Sequence, residues 1–523
     1  MHISSLSPST HYRIIAIAYH DARKNDTWFA LEDYRAFLQV ASVCRAWREY
    51  ALPFIYSTAL VSWSAVESPK SNIGLIIDNG YSYATRELLI QSVRVDIDYS
   101  DMLNALAGSN FGSVSWPLVR KLGFLGDINP VRPYDGSPFN ILSAENPLSS
   151  YLVENLPNII ELRYQPSIPM YTAAEFPFSG LFNAYLPLLQ RLDARAYVAP
   201  RLTHTSFCAL ITHLTISLNL EHGAQLPLVL APALRHLRLF AIPGTVPWQR
   251  FVSPRGGAVC FENLEHLILQ FVPNSMHALV PDTPPGIEFP RLKKLEVVCL
   301  QDDGGFYAQL ARSPLKEFYF SGSVESLQHV PSSIIGQLSR LSIACLPKED
   351  SLEDSLENDE AMKGCQDNLA RLLGTPSTVR HATLKHPGSL AVSLPSNLEW
   401  KDVQRLELEL CVSLLSVVTV LRQLPRLQYL STSGISVNTC GSDIQGPDCN
   451  APGNKLAELI IFWETDDVPT DTLIDCLSVI APLTPSLVRL SVPSASSSEL
   501  KEHISNPENA LTSLLSCVDI FEF

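Results

Sequence analysis

Apolar and polar positions along this chain repeatedly form one phrase: an apolar residue, two variable residues, leucine, one variable residue and another apolar residue. Clear copies are LRHLRL ending at Leu239, LEHLIL at Leu269, LKKLEV at Val297 and LSRLSI at Ile343. The alternation within each copy predicts a short β-strand with one buried and one exposed face.

The fourth position of the phrase, which we call the anchor, recurs along most of the chain. Successive anchors lie 22 to 31 residues apart, with one longer spacing of 41 residues. A period in this range is typical of repeat proteins, in which each repeat buries its apolar side against its neighbours. Further phrases around Val93 and Leu122 extend the expected array towards the N-terminus. The anchors are Leu162, Leu192, Leu214, Leu237, Leu267, Leu295, Phe318, Leu341, Ala382, Leu406, Leu430, Leu459 and Leu490.

Helix-like stretches lie between several of the phrases, for example QDNLARLLG, VSLLSVVTVLRQL and PTDTLIDCLSVIAPL. A strand followed by a return helix, repeated along the chain, predicts a solenoid. In these features the chain resembles the leucine-rich repeat family, whose repeats are about 20 to 29 residues long. Cys411 fits the position after the strand at which that family has Asn or Cys, whereas most other copies lack such a residue.

The resemblance implies an α/β fold: a leucine-rich repeat solenoid with a curved parallel sheet and outer helices and loops, over residues 86–523. Two insertions are expected within it, an acidic one at 348–363 and a loop at 436–454. The acidic insertion carries seven carboxylates, and their mutual repulsion predicts a solvated loop. Residues 1–60 are predicted to form a small helical module, and residues 61–85 to connect it to the array.

The variable residue just after each anchor is expected on the concave side of such a sheet. The row is chemically mixed, which favours recognition of a folded protein surface over recognition of a polyanion. From it we select Arg238, Glu296, Tyr319 and Glu407 as candidate substrate-binding residues. The full row reads Arg163, Asp193, Thr215, Arg238, Ile268, Glu296, Tyr319, Ser342, Thr383, Glu407, Ser431, Ile460 and Ser491.

Near the N-terminus, apolar residues at helical spacing predict one helix over Phe37 to Ala51. Its end is expected at Leu52, because the residue before Pro53 disfavours the helical conformation. In one interpretation this helix caps the solenoid and packs Cys44 and Trp47 into its core. The apolar positions are Phe37, Val40, Ala41, Cys44, Trp47 and Ala51.

A second interpretation comes from the stretch VCRAWREYALPFIY, which is similar to the second half of an F-box. That family has a Val-Cys-Arg-x-Trp-Arg core followed by Ala-x-Pro and an aromatic residue, here Tyr56. The stretch SPSTHYRIIAIAY can be aligned with the first F-box helix, although Ser7 and Thr10 replace the usual leucine and acidic residue, and a longer insert follows. The positions that the resemblance implies for adaptor binding are Pro8, Tyr12, Ile15, Leu38, Val43, Cys44, Trp47 and Pro53.

An F-box followed by leucine-rich repeats resembles the substrate receptors of SCF-type ubiquitin ligases, of which loosely conforming fungal examples are known. The resemblance implies binding to a Skp-type adaptor, and through it to a cullin ligase, with the repeats selecting an unidentified protein substrate. The alternative is a leucine-rich repeat scaffold in which a degenerate F-box serves only as an N-terminal cap. A grafted enzymatic site is the third reading, because a fold never excludes one.

Composition narrows the possible partners. A net charge of −15 argues against tight nucleic-acid binding, and no apolar stretch is long enough to span a membrane. No signal-peptide pattern is found, and eleven scattered cysteines predict reduced thiols and an intracellular protein, cytoplasmic or nuclear. A disulfide or metal site at Cys440 and Cys449 is a minor alternative. No common catalytic or cofactor motif occurs, so neither enzymatic activity nor a cofactor is expected.

Overall fold

The structure, a computed structural model, divides the chain into two compact units, Met1–Leu234 (unit 1) and Arg235–Phe523 (unit 2). It describes residues 7–22, 39, 41–63, 69–92, 97, 99–126, 147–165, 181, 184–185, 187–197, 210–217, 233–242, 259–271, 287–298, 307, 310, 312–322, 327, 330–345, 366–385, 393–436, 455–462, 470–492, 494–505, 511–516 and 518–522.

Unit 1 begins with a pair of packed helices, α1 (Pro8–Ala22) and α2 (Arg45–Ile55). Ile15 of α1 is fully buried against Ala41, Ala51 and Ile55, which form a small apolar core. A helical pair of this size buries little surface, so each of these side chains contributes a large share of its stability.

The prediction of one helix over Phe37 to Ala51 is wrong at Cys44. This residue is extended, with φ −160° and ψ 170°, and its carbonyl accepts the first hydrogen bond of α2 from Arg48. Because Cys44 precedes α2 instead of lying within it, its side chain is exposed and not packed in a core. The helix also continues past Pro53, because Tyr56 and Ser57 donate backbone hydrogen bonds to carbonyls of the last turn.

A mostly parallel sheet follows in unit 1. Its neighbours pair in chain order, except that β1 lies between β3, to which it is parallel, and β2, to which it is antiparallel. Helices α3 (Ile73–Asp78), α4 (Tyr99–Gly108) and α5 (Pro147–Asn155) connect some of the strands. The strands are β1 (Thr58–Trp63), β2 (Lys70–Ser71), β3 (Glu87–Ser92), β4 (Lys121–Gly126), β5 (Glu161–Gln165), β6 (Arg191–Tyr197) and β7 (His213–Ser217).

The sheet starts earlier than expected, because segment 61–85 contains the end of β1, all of β2 and all of α3. Strand β1 does not match the leucine phrase, because Ala59 occupies its anchor position. Ala59 is in register with Leu88 of β3. Leu88, in turn, aligns with Leu122, whereas the expected phrase was placed around Val93, which lies outside the described residues.

Unit 2 contains a parallel sheet in which each strand pairs with the next along the chain, apart from a separate two-stranded ribbon of β9 and β11. Its strands are β8 (His236–Ile242), β9 (Val259–Cys260), β10 (His266–Phe271), β11 (Ile287–Glu288), β12 (Lys294–Val298), β13 (Glu317–Gly322), β14 (Arg340–Cys345), β15 (His381–Lys385), β16 (Arg405–Ser413), β17 (Tyr429–Ser436), β18 (Glu458–Ile461), β19 (Arg489–Val492) and β20 (Asp519–Glu522). The α/β class with a large, mostly parallel sheet is therefore confirmed.

Return segments between these strands are helical in places. The helices whose bounds lie in the described part of unit 2 include α6 (Ser332–Ile335), a helical segment at 366–373, α7 (Leu414–Gln423), α8 (Thr470–Ile480), α9 (Ser494–Ser505) and α10 (Thr512–Leu515). The predicted helical stretches QDNLARLLG, VSLLSVVTVLRQL and PTDTLIDCLSVIAPL coincide with the segment at 366–373, α7 and α8.

The predicted anchors are directly opposite one another in neighbouring strands. In unit 1 the column runs from Leu122 through Leu162 and Leu192 to Leu214. In unit 2 it runs from Leu237 to Leu490 without a slip and ends at Ile520. All thirteen predicted anchors are buried. The prediction that each phrase forms a short strand with one buried face is thus confirmed at these positions.

The longest spacing does not disturb this register. Leu341 of β14 pairs directly with Ala382 of β15, although 41 positions separate them. The acidic insertion 348–363 falls between these strands, outside the described residues, as does most of the loop insertion 436–454. Extra residues therefore lie between strands, where they do not interrupt the hydrogen-bonded ladder.

We predict that Leu341→Ala lowers the free energy of unfolding of unit 2 by about 3 kcal/mol, because it leaves a cavity between Phe318 and Ala382 in the fully buried column. The matched control is Ser342→Ala, one residue further along the same strand on the opposite face, which should change the value by less than about 0.5 kcal/mol. Urea denaturation followed by circular dichroism measures both. Equal effects of the two substitutions would contradict the assigned faces of β14.

Candidate functional site

The face of the unit 2 sheet opposite the anchors, which we call the polar face, carries two rows of side chains. One row consists of the residues just after the anchors, and these positions pair from strand to strand within each unit. The row before the anchors was not singled out from the sequence. It reads His236, His266, Lys294, Glu317, Arg340, His381, Arg405, Tyr429, Glu458 and Arg489.

Two of the four candidate substrate-binding residues, Glu296 and Tyr319, are directly opposite each other on β12 and β13. Arg238 is separated from Glu296 by Ile268 on the intervening strand. Glu407 lies three strands beyond Tyr319 in the same row. The structure thus places all four on one face but brings only one pair into adjacency.

Glu296 is the centre of a charged cluster. One of its oxygens is 2.7 Å from Lys294 Nζ and 3.3 Å from His266 Nε2, a distance suited to an ion pair when the imidazole is protonated. The edge of one imidazole faces the other in the pair His236 and His266, with ring centroids 4.5 Å apart. The interaction with His266, followed by that with Lys294, lowers the pKa of Glu296 to about 2, although partial burial acts in the opposite direction.

Tyr319 lies between two cations. Lys294 Nζ is 4.7 Å from its ring centroid and the Arg340 guanidinium is 5.7 Å away, both within the range of cation–π attraction. Its hydroxyl donates a hydrogen bond to Glu317 at 3.2 Å. Burial raises the pKa of Tyr319 to about 12, so the phenol stays protonated and remains a donor at neutral pH. The ring is therefore held in place by its neighbours.

Glu407 belongs to a second cluster of the same kind. Arg405 Nε is 2.7 Å from its carboxylate, and Thr383 donates a hydrogen bond to it at 3.0 Å. The Arg405 guanidinium also lies 3.7 Å from the ring centroid of Tyr429, a close stacking distance. Alternating cations, carboxylates and aromatic rings hold the side chains of the polar face in defined positions, as a protein-binding surface requires.

Unit 1 has a smaller version of this arrangement. Arg163 lies 3.0 Å from Glu161 in its own strand and 3.7 Å from Asp193 in the next. Glu161 is 5% exposed and is also 3.6 Å from Lys121. A carboxylate this deeply buried needs such partners, because an unpaired charge would be strongly destabilising.

The expected adaptor-binding residues lie in or beside the helical pair, and they differ in how far their side chains are exposed. Pro8, Tyr12, Val43 and Pro53 are exposed, as is Cys44. Ile15 is not available for docking in this state, because it is fully buried in the core of the helical pair. Leu38 lies outside the described residues.

Trp47 is covered in part by this chain's own helices. Its ring lies 6.3 Å from that of His11 in an edge-to-face arrangement, and it packs against the core around Ile15. Next to it, Tyr12 and Phe54 contact each other with ring centroids 5.4 Å apart. The result is an aromatic cluster with Tyr12 at its exposed side.

No set of three potential metal ligands is found among the residues that the structure describes. Cys440 and Cys449, the residues considered for a disulfide or metal site, lie outside the described part of the chain. Within the same part of the chain, every helix is too short or too polar to cross a bilayer.

Comparison with known proteins found no matching family model and no curated protein of significant similarity.

The charged cluster around Glu296 predicts a specific response to acid. Because the pKa of Glu296 falls from 4.5 to about 2 on folding, its stabilisation is present above pH 4.5 and is lost as the pH falls towards 2. Glu296→Gln should lower the free energy of unfolding at pH 7 by roughly 1 to 3 kcal/mol and make its decrease below pH 4.5 shallower.

The matched control is Glu409→Gln on β16, which removes an exposed ion pair with Lys385 on the adjacent strand β15. Such a pair contributes about 0 to 1 kcal/mol, so the acid limb of the stability curve should keep its shape. Urea titrations between pH 2 and 7 test both variants. A Glu296→Gln curve parallel to that of the wild type would show that the cluster does not depress this pKa.

Proposed function

We propose that this protein is the substrate-recognition subunit of an SCF-type ubiquitin ligase, with an F-box-like helical pair that binds a Skp-type adaptor and a leucine-rich repeat array that binds a target protein. The observation that carries the proposal is the combination of exposed apolar side chains in and beside an N-terminal helical pair with repeat strands stacked in strict register.

The helical pair has the surface chemistry that docking requires. Tyr12 and Val43 are 49% and 55% exposed, and Pro8 and Pro53 are exposed as well. Large apolar side chains left in water favour burial against another surface. They coincide with positions that the resemblance to an F-box assigns to the adaptor interface.

The end of α2 also contacts the segment that leads into β3. Tyr56, the residue that ends α2, stacks on Tyr81 with ring centroids 4.8 Å apart. Its carbonyl accepts a hydrogen bond of 2.9 Å from the Thr85 hydroxyl. A short connection of this kind suits a receptor, because the adaptor and the substrate must be held at a defined distance from each other.

The repeat array supports the second half of the proposal. Its phrase, its period and its parallel strands with partly helical return segments match what a leucine-rich repeat protein requires. The polar face offers an ordered, chemically mixed surface, which fits recognition of a folded protein.

One observation favours the alternative, a repeat scaffold with a helical cap. Ile15 and much of Trp47 are covered within the helical pair, so these two side chains already have an internal structural role. In the cap model the exposed Tyr12 and Val43 contact no other protein, so replacing Val43 should change no binding partner.

The two models are distinguished by Val43→Asp in the full-length chain. Placing a carboxylate in the proposed interface should weaken binding to the purified Skp-type adaptor at least tenfold, because the charge would be desolvated on docking. Surface plasmon resonance measures the affinity, and circular dichroism shows that the fold is kept.

The matched control is Leu75→Asp, which places the same charge at an apolar side chain of similar exposure, 58%, on α3 outside the helical pair. It should leave adaptor affinity unchanged. Failure of the unmodified chain to bind the adaptor, or equal weakening by both substitutions, would leave the cap model.

A further inference from the structure

A basic strip runs along the amino ends of the unit 2 strands. It consists of the two residues that precede each anchor in the seven consecutive strands from β8 to β16, leaving out the β9–β11 ribbon. These fourteen positions include seven lysines and arginines, three histidines and two glutamates. Six of the basic residues are exposed: Arg235, Lys293, Lys316, Arg340, Arg380 and Arg405.

The sign of this strip is opposite to that of the protein. The whole chain has a net charge of −15, whereas the lysines and arginines of the strip exceed its carboxylates by five. Evenly mixed surface charge would not place seven cations on fourteen neighbouring positions. A local potential of this kind attracts and orients a partner of the opposite charge.

Not all of these cations are neutralised by the protein itself. Lys293 lies 2.8 Å from Glu265, and Arg405 pairs with Glu407. Lys316 and Arg380, in contrast, form no ion pair with any residue that the structure describes. These two side chains retain their full capacity to bind an external carboxylate.

The spacing of the strip suits an extended chain. Neighbouring strands are about 4.8 Å apart, so seven strands span about 29 Å. An extended peptide rises about 3.3 Å per residue and needs roughly nine residues to cover that length. The cations fall into two neighbouring columns across the strands. One column lies one residue before the anchors and includes Lys294, Arg340 and Arg405. The other lies two residues before the anchors and includes Lys293, Lys316 and Arg380, whose positions are aligned by the hydrogen bonds at the amino ends of the strands.

We propose that the basic strip binds an extended, carboxylate-rich peptide segment of about nine residues, with Lys316 and Arg380 as the principal contacts. This deepens the proposed function by naming the class of substrate segment, and its role in ubiquitination rests on that function. The binding itself does not depend on the adaptor.

A nucleic acid fits this surface less well. Glu265 and Glu317 belong to the strip and Glu296 lies beside it, so a continuous phosphate backbone would meet carboxylates along its path. The negative charge of the whole chain also opposes a long polyanion, whereas a short acidic peptide needs only the local positive potential.

The test is fluorescence anisotropy with the full-length protein and a labelled nine-residue peptide of alternating Glu and Ala. At low ionic strength this peptide should bind, and its Gln–Ala counterpart should bind at least tenfold more weakly. Lys316→Glu combined with Arg380→Glu should reduce the affinity for the acidic peptide about tenfold or more, and Lys316→Arg with Arg380→Lys should preserve it. Binding should weaken as salt is raised to 0.5 M, because salt screens exposed charges.

The matched control is Arg422→Glu combined with Lys501→Glu, two exposed positions on α7 and α9 that change the net charge by the same amount. It should leave peptide affinity within twofold of the wild type. Three outcomes would overturn the proposal: equal binding of the acidic and neutral peptides, equal weakening by the two charge-reversal pairs, or tighter binding of a single-stranded oligonucleotide of equal charge.

Peptide binding and adaptor binding are separable in these experiments. If the protein binds the acidic peptide but not the adaptor, the peptide-binding proposal stands and the ligase proposal is contradicted. If it binds the adaptor but not the peptide, the ligase proposal stands and the peptide-binding proposal is contradicted.

Discussion

The repeat architecture depends on the hydrogen bonds that the backbone carbonyl two residues before an anchor accepts from the next strand. Lys293, for example, accepts hydrogen bonds from the amides of both Lys316 and Glu317, at 2.8 and 2.9 Å. Lys316 then accepts from Ser339 and Arg340 in the next repeat. Both of these carbonyls use both of their lone pairs, so the amino ends of β13 and β14 are tied to the strands before them. The same sharing recurs within both units.

This shared acceptor accounts for several features at once. It sets the register, so that each anchor falls opposite the previous one and the buried column is continuous. It acts at the start of the strand, so residues added after the strand do not alter the pairing, and β14 still pairs with β15 across the longest spacing. It also aligns the residues before the anchors from strand to strand, and this alignment brings the basic side chains together at the amino ends of the strands.

The polar face and the helical pair show two different uses of aromatic side chains. On the polar face, Tyr319 and Tyr429 lie against cations, which keeps both the ring and the charge ordered while leaving them partly accessible. In the helical pair, Trp47 and Ile15 close a small core, while Tyr12 remains at the surface. The first arrangement orders side chains that remain accessible, and the second separates side chains that hold the module together from side chains that stay at the surface.

The sequence by itself determined the strands, the anchors and the row of side chains after them, because a repeated phrase imposes the same local periodicity on each copy and the copies must then stack. It did not reveal β1, since Ala59 fills the anchor position and matches the leucine phrase only through its alignment with Leu88. Nor did it place Cys44 outside the helix, because the helical spacing of apolar residues continues through a position where the backbone becomes extended. The clusters around Glu296 and Glu407, and the exposure of Lys316 and Arg380, were decided only by the tertiary structure. Residues from different repeats meet there across strands, and no local pattern records which cation faces which carboxylate.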